Sequence, residues 1–136
     1  MSAPFHLAQS ALVAFLPARD PAAVRPFYES ALGLRLLVDE LPFALVFSAH
    51  GTMLRITKVP GHTPVPYTIL GWQVESIEEA VAALSASGIQ FLRYPGMNDT
   101  HPLSIWNAPS GARVAWFQDP EKNVLSLTEF PGPAST

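Results

Sequence analysis

Apolar and polar positions follow a pattern of strand, helix and three strands that occurs twice, about 55 residues apart. In the first copy, an apolar strand is predicted at residues 10–16, and a helix is predicted from Pro21, with Asp20 as its N-cap. Apolar residues recur at helical spacing up to Gly33, the predicted C-cap, although Pro26 should leave the first turn irregular. The three β-rich runs that follow are residues 34–38, 43–49 and 52–59.

The second copy repeats this order. Residues 68–74 form the predicted strand, and Ser76 with Glu79 forms a capping box at the start of a helix that ends near Gly88. The predicted fold class is therefore α+β, with two tandem βαβββ modules. The later runs of the second copy are residues 90–94, 112–118 and 124–130, with a long loop, 96–111, after the first of them.

The chain of 136 residues fits one domain that spans residues 1–136. Within this domain, the first module covers about residues 10–59 and the second about residues 67–130. Prolines stiffen the predicted linker, residues 60–66, and residues 131–136 form a predicted tail.

Two segments carry a resemblance to a known family: FYESALGL at residues 27–34 and WFQDPEKNVLSL at residues 116–127. Together with the order of the elements, they make the chain similar to the vicinal oxygen chelate superfamily, which includes glyoxalase I, extradiol dioxygenases, fosfomycin-resistance enzymes and bleomycin-binding proteins. The resemblance implies a mixed sheet curled around a pocket for a small organic ligand. It also implies a homodimer, since many relatives complete their pockets across two chains. Many relatives have glycine where this chain has Lys122, so Lys122 must adopt a positive φ or the turn must change type.

Composition argues against several other classes. Eight basic residues are scattered along a chain of net charge −3, which leaves no basic surface for nucleic acid. No apolar run approaches the roughly 20 residues that span a bilayer, and the N-terminus lacks a secretion signal, so the predicted location is the cytoplasm without membrane contact. The absence of cysteine excludes disulfides, thiolate metal sites and a cysteine nucleophile.

The metal-dependent relatives hold a divalent ion with His or Glu side chains from the first, fourth, fifth and eighth strands. Counted from landmarks in this sequence, the resemblance assigns these positions to Val13, Arg55, Ile69 and Ser126. Valine and isoleucine have no donor atom, and arginine is a permanent cation. A register error of one residue gives aliphatic side chains or Thr68, and the four histidines lack ligand spacing. The sequence therefore predicts neither a metal ion nor another cofactor.

Arg55 belongs to an alternating strand, and one face of that strand should line the pocket. Its planar guanidinium suits a carboxylate, a phosphate or another planar acceptor on a ligand. The alternative is an internal ion pair with an acidic residue such as Glu129 or Asp39. The other residues predicted to line this part of the pocket are Val13, Phe15, Met53 and Thr57.

The three tryptophans have different predicted places. Strand alternation puts Trp72 on the face opposite the pocket, against a helix. Trp106 lies in the long loop, whose length is typical of a lid or a binding element. Trp116 lies in a strand and would line the cavity or fill it, with core packing or a dimer contact as the alternative. The predicted ligand-binding residues of the second module are Ile69, Trp106, Trp116 and Ser126.

The leading hypothesis from the sequence is a metal-independent protein that sequesters a small, planar or anionic organic molecule, resembling the antibiotic-binding resistance proteins. Its rival is a metal-independent isomerase or lyase, in which Arg55 stabilises negative charge and His101 or Glu129 transfers a proton. Two other interpretations stay open. One is a metal-dependent enzyme similar to glyoxalases or dioxygenases, which the ligand chemistry disfavours; the other is a regulatory subunit whose own side chains fill the pocket.

Overall fold

The computed structural model describes residues 4–132, so most of the predicted tail lies outside the described residues. None of the helices in this part of the chain is both long and apolar enough to cross a bilayer. A 3-10 turn, Leu7–Gln9, precedes the first module. That module contains β1 (Val13–Ala18), α1 (Pro21–Pro26), β2 (Arg35–Glu40), β3 (Ala44–Ala49) and β4 (Thr52–Lys58). The second module contains β5 (Thr68–Gln73), α2 (Ile77–Ala86), β6 (Trp106–Asn107), β7 (Arg113–Gln118) and β8 (Val124–Glu129).

Each module forms one four-stranded mixed sheet, and the two sheets have the same topology. The first sheet has the strand order β1-β4-β3-β2, and the second has the order β5-β8-β7-β6. The first strand of each module runs parallel to the last, and the other neighbours are antiparallel. This equivalence confirms the predicted α+β fold with two βαβββ modules.

Pro26 ends the α-helical part of the first helix. The backbone continues as a π-helix over Phe27–Ala31, where Leu32 N donates to the carbonyl of Phe27 at 2.9 Å. A proline removes one helical hydrogen bond and its ring crowds the preceding turn, which accounts for the change. The irregularity that was expected in the first turn therefore lies further along the helix.

The edge strand of the second sheet differs from the prediction. Residues 90–94, predicted as a strand, form a single bridge between Phe91 and Phe117, and β6 lies inside the predicted loop instead. The buried side chain of Asn98 accepts a hydrogen bond from Tyr94 N at 2.7 Å and donates to the carbonyl of Leu92 at 2.9 Å. Since these backbone groups bond to a side chain, they are not available to extend a ladder along β7.

The helices cover one face of each sheet, and the two covered faces share one apolar core. The first helix contributes Val24 and Tyr28 to this core, and the ring of Phe27 lies 6.3 Å from the ring of Phe117 in the second sheet. The other face of each sheet points away from the core. Fully buried side chains on the covered faces include Leu16, Phe47, Leu54, Ile56, Ala115, Phe117 and Leu125.

The turn between β7 and β8 joins the modules through buried polar side chains. Asp119 is buried and accepts hydrogen bonds from the Tyr28 hydroxyl at 2.7 Å and from the backbone N–H groups of Glu121 and Asn123 at 2.9 and 3.0 Å. Burial, together with the Asp119 carboxylate, raises the pKa of Tyr28. Lys122 adopts a φ of 73°, one of the two outcomes predicted for this position.

Two other residues of this turn bind the first module directly. The buried Glu121 carboxylate accepts hydrogen bonds from the backbone N–H groups of Arg19 at 2.6 Å and Asp20 at 2.9 Å. The Asn123 amide donates to the carbonyl of Pro17 at 3.0 Å. Because every one of these bonds crosses between the modules, the network holds the start of the first helix against the second sheet.

Candidate functional site

The first sheet gathers five of the predicted binding residues on the face that points away from the core. We call this face the first open face; at its centre lie Val13, Phe15, Met53, Arg55 and Thr57. Phe15 is 66% exposed, although it is a large apolar side chain, and Val13 and Met53 are 38% and 37% exposed. Residues from two separate strands therefore form one accessible and largely apolar surface around a guanidinium.

Arg55 is paired with Glu40, at the end of β2, with 3.3 Å between Nη2 and Oε1. Both side chains are partly exposed, at 31% and 47%. The predicted alternative, an ion pair of Arg55 with an acidic residue, is therefore present, but the two named partners are wrong, because Asp39 pairs with Arg25 at 3.1 Å and Glu129 binds the second helix. Alternation along β2 explains the difference, since Asp39 and Glu40 are adjacent and point to opposite faces.

Thr57 follows Arg55 by two residues on β4, so both side chains lie on the first open face. Its Oγ1 is buried and has no hydrogen-bond partner within residues 4–132. A hydroxyl can donate one hydrogen bond and accept two, so the bonding capacity of this buried oxygen is unsatisfied among the described residues. The first open face thus combines apolar surface with three neighbouring polar groups.

The second sheet carries an aromatic cluster on its own outward side, which we call the second open face. The rings of Trp106 and Trp116 lie 5.9 Å apart at 33°, and the ring of Tyr94 meets Trp116 edge-on at 5.2 Å. Ser126 lies between Trp116 and Gly71 across the sheet and is only 7% exposed. A Cβ atom on Gly71 would lie 2.7 Å from Ser126 Oγ and 3.3 Å from the Ser126 carbonyl oxygen, so glycine leaves room for the buried hydroxyl.

Two other residues of the second module contact the core. Ile69 lies at an irregularity of the register between Thr68 and Leu70 and packs against the core. Trp72 pairs with Leu127 on the covered face, as the alternation predicts, and lines an apolar cavity of about 250 Å³ beside α2. The structure therefore places Trp106, Trp116 and Ser126 together but not Ile69.

The two candidates for proton transfer hold backbone groups of the second module. His101 accepts hydrogen bonds through Nδ1 from Leu103 N at 3.0 Å and from Ile105 N at 3.3 Å, so that this nitrogen carries no proton. Glu129 accepts from Ile77 N at 3.0 Å and so binds the first free N–H of α2. Both side chains thus have a local structural role.

The positions that the resemblance assigns to a divalent ion hold side chains that do not fit one. Val13 and Ile69 have no donor atom, Ser126 offers a single hydroxyl, and the Arg55 guanidinium is a cation paired with Glu40. Across the described range, 4–132, there is no group of three or more His, Cys, Asp or Glu side chains that could hold a metal ion. These positions offer apolar contacts and one positive charge instead.

The two open faces do not face each other within one chain. Both covered faces belong to the same core, so the opposite face of each sheet points outward from that core. Arg55 on the first sheet and Trp116 on the second therefore do not line a common pocket inside a single chain.

Sequence reasoning missed Glu40 as part of the first open face, and it missed the close approach of Ser126 to Gly71 in the second. The predicted strand ends at Val38, although the alternation continues for two more residues before the turn. Asp39 and Glu40 are adjacent, and adjacent strand residues point to opposite faces of the sheet. If the strand extends to Glu40, one of these two carboxylates must therefore lie on the open face beside Arg55. For Gly71, the signal is an isolated glycine within a strand pattern, which indicates close approach of another chain segment.

Comparisons with known proteins agree with this architecture. The family model of the Glyoxalase/Bleomycin resistance protein/Dioxygenase superfamily matches residues 6–127. A bleomycin resistance determinant encoded on the transposon Tn5 is similar in structure, with a TM-score of 0.69 and 21% identity over 91% of this chain and 100% of that chain. A lactoylglutathione lyase from Agrobacterium tumefaciens has a TM-score of 0.67 and 17% identity over 89% of this chain and 93% of that one. No curated protein matches the chain in sequence.

Proposed function

Since the chain belongs to the Glyoxalase/Bleomycin resistance protein/Dioxygenase superfamily, we propose that it binds a small, planar or anionic organic molecule without a metal ion and acts by sequestration. The observation that carries this proposal is the first open face, where exposed apolar side chains surround the Arg55 guanidinium. Ligand sites combine apolar walls with a few polar groups in this way. A contiguous apolar surface on a monomer indicates a binding site more often than a scatter of single exposed residues does.

In this proposal, a second copy of the chain completes the site. The two open faces point outward from one core, so one chain cannot hold a ligand between them. A two-fold homodimer can place the second open face of one copy over the first open face of its partner, and the symmetry then creates two identical sites. Trp106 and Trp116 would stack on a planar ligand whose polar group binds Arg55 on the other wall.

The enzyme hypothesis has less support from the geometry. A general acid or base must be able to reach the ligand with a proton or a lone pair. His101 Nδ1 and Glu129 Oε1 accept from backbone N–H groups of their own module, and Glu129 Oε2 lies 3.8 Å from Nη1 of Arg113. The apolar side chains around Arg55 favour binding over proton transfer, and a sequestered ligand should be recovered unchanged.

Calorimetry with 2-naphthoate and 2-naphthamide tests the proposal, because the two probes share one planar ring system and differ in charge. We expect at least one of them to bind, and we expect Arg55→Ala to weaken that binding about tenfold, the effect of one charged hydrogen bond. Arg25→Ala is the matched control, since Arg25 also pairs with a carboxylate but lies in α1. Its affinity should equal that of the wild type.

Besides a failure of both probes to bind, three results would contradict the proposal. Binding that is indifferent to Arg55→Ala would place the ligand elsewhere, and chemical conversion of a bound probe would favour the enzyme hypothesis. A divalent ion held at about one per chain after dialysis against a chelator would contradict the metal-independent part, because such retention requires a built set of ligands.

A further inference from the structure

Three polar groups lie together in the otherwise apolar first open face. Glu40 in β2, Ala44 in β3 and Thr57 in β4 form one cross-strand row, and Arg55 lies in the next row on the same side. Arg55 and Glu40 are in direct contact, at 3.3 Å, and the Thr57 hydroxyl is buried without a partner within residues 4–132. The cluster thus offers a donor, an acceptor and a hydroxyl that can do either.

The contact between Arg55 and Glu40 leaves most of their bonding capacity unused. A guanidinium has five N–H donors and a carboxylate has about four acceptor positions, yet one nitrogen and one oxygen account for the pair. Both side chains remain partly exposed, so a ligand can reach them. The two charges cancel, and the edge that the pair presents is a donor beside an acceptor.

We propose that this cluster selects neutral planar molecules that carry a carbonyl acceptor next to an N–H donor, as in a carboxamide, a lactam or a nucleobase edge. The proposal rests on the proposed function and decides between the two ligand classes which that function leaves open. A carbonyl oxygen can accept from Arg55 while the neighbouring N–H donates to Glu40. A carboxylate of the same shape would place a second negative charge beside Glu40. Repulsion between these two like charges in a partly buried site would weaken its binding.

Thr57 extends the same edge. It lies in the row of Glu40 and on the strand of Arg55, and the residue is partly exposed although its Oγ1 is buried, so a rotation about χ1 would turn the hydroxyl toward a ligand atom adjacent to the amide-like group. The flat ring of such a ligand would then rest on the apolar side chains of Phe15 and Met53.

The test compares 2-naphthamide with 2-naphthoate by calorimetry on the full chain. We expect the wild type to bind the amide about tenfold more tightly than the carboxylate, since one charged hydrogen bond is gained and one like-charge contact is avoided. Glu40→Gln removes the negative charge, so it should tighten binding of the carboxylate and abolish the preference. Asp39→Asn is the matched control, because it removes the same charge one residue away, where the side chain binds Arg25 on the other face. It should leave the preference unchanged.

The outcomes separate this proposal from the function on which it rests. A wild type that binds the carboxylate as tightly as the amide, with both lost in Arg55→Ala, would overturn the selectivity and leave the binding function standing. Equal effects of Glu40→Gln and Asp39→Asn would also overturn it, because the charge would then act at long range. Binding of neither probe would overturn the binding function and the selectivity together.

Discussion

Equivalent positions of the two sheets carry opposite kinds of side chain. Phe15 and Arg55 are neighbours between the parallel strands of the first sheet, and the same positions in the second sheet are Gly71 and Ser126. In the first pair, Phe15 is exposed and Arg55 is partly exposed; the second pair is small, and Ser126 is almost completely buried. At these matching positions, the same backbone repeat therefore presents two large side chains, one of them charged, on the first sheet and two small ones on the second.

The edge strands continue this contrast. Glu40 in β2 and Trp106 in β6 hold equivalent places, since each lies at the end of a row that passes through β3 and β4 or through β7 and β8. The third residue of the row is a threonine in both sheets, Thr57 and Thr128. The fold thus fixes the positions, and a few residue differences place an ion pair on the first open face and an aromatic cluster on the second.

The largest expected effect comes from exchanging the residues at two equivalent positions of the open faces, Phe15 and Gly71. Gly71→Phe places a Cβ atom 2.7 Å from Ser126 Oγ and 3.3 Å from the Ser126 carbonyl oxygen. We expect a loss of about 3 kcal/mol in the free energy of unfolding, the upper range for overpacking. The reciprocal change, Phe15→Gly, should cost about 1 kcal/mol, the usual penalty for glycine within a strand. Urea unfolding measures both, and similar losses for the two variants would contradict the contrast.

Phe15→Asp tests whether the first open face contacts a second copy. Phe15 is exposed in the single chain, so the change should leave its stability nearly unaltered. In a dimer the new carboxylate would be buried against the aromatic cluster, and we expect the dimer dissociation constant to rise about a hundredfold. Sedimentation velocity over a dilution series measures this shift. Ala82→Asp, on the exposed side of α2, is the control that should keep the wild-type constant.

Tyr28→Phe tests the hydrogen bond from the first helix to Asp119 in the turn between β7 and β8, which connects the two modules. The change removes one hydrogen bond from the buried Asp119 carboxylate, and we expect a loss of about 2 kcal/mol in the free energy of unfolding. Burial and Asp119 raise the pKa of Tyr28 above its unfolded value of about 10, so the protonated phenol favours the folded state. The stabilisation of the wild type by the protonated phenol is therefore present below about pH 10 and is lost above it, at about 1.4 kcal/mol per pH unit. Denaturation curves from pH 9 to 11 should therefore converge for the two proteins, and parallel curves would contradict this assignment.

The smallest expected effect separates two tryptophans of the same module. Trp116→Ala should weaken binding of 2-naphthamide about tenfold through lost stacking. Trp72→Ala lies on the covered face, so it should lower the unfolding temperature while the affinity of the folded protein stays unchanged. Thermal unfolding and calorimetry on both variants distinguish the two roles. A loss of affinity in Trp72→Ala alone would contradict this assignment, because the ligand would then bind at the covered face of the sheet.

The fold could be predicted from the sequence because its signals are local. Asp20 before Pro21, Ser76 and the glycines after each helix mark the helix boundaries through local chemistry, although only Ser76 of the two N-caps makes a side-chain capping bond. The edge strand β6 could not be predicted, since the side chain of Asn98 binds the backbone of residues that looked like a strand. These contacts span only four and six residues, but the pattern of apolar and polar positions does not indicate which backbone groups a loop asparagine will bind.

The candidate site could be predicted in part. Alternation placed Phe15, Met53, Arg55 and Thr57 on one face, because side chains alternate along any regular strand. The partner of Arg55 depended on where β2 ends and on the cross-strand register, which long-range packing sets. The same holds for Ile69, since a register irregularity in β5 turns it toward the core.

Subunit complementation tests the central claim, that each site joins the first open face of one copy to the second open face of another. Homodimers of Arg55→Ala or of Trp116→Ala lack one wall in every site. A mixed dimer has one intact site and one that lacks both walls, and half of the dimers are mixed, so an equal mixture should regain about a quarter of the wild-type tight sites for 2-naphthamide. Calorimetric stoichiometry after dissociation and reassociation measures this fraction. A mixture that regains no tight site would contradict the account, because both walls would then come from the same chain.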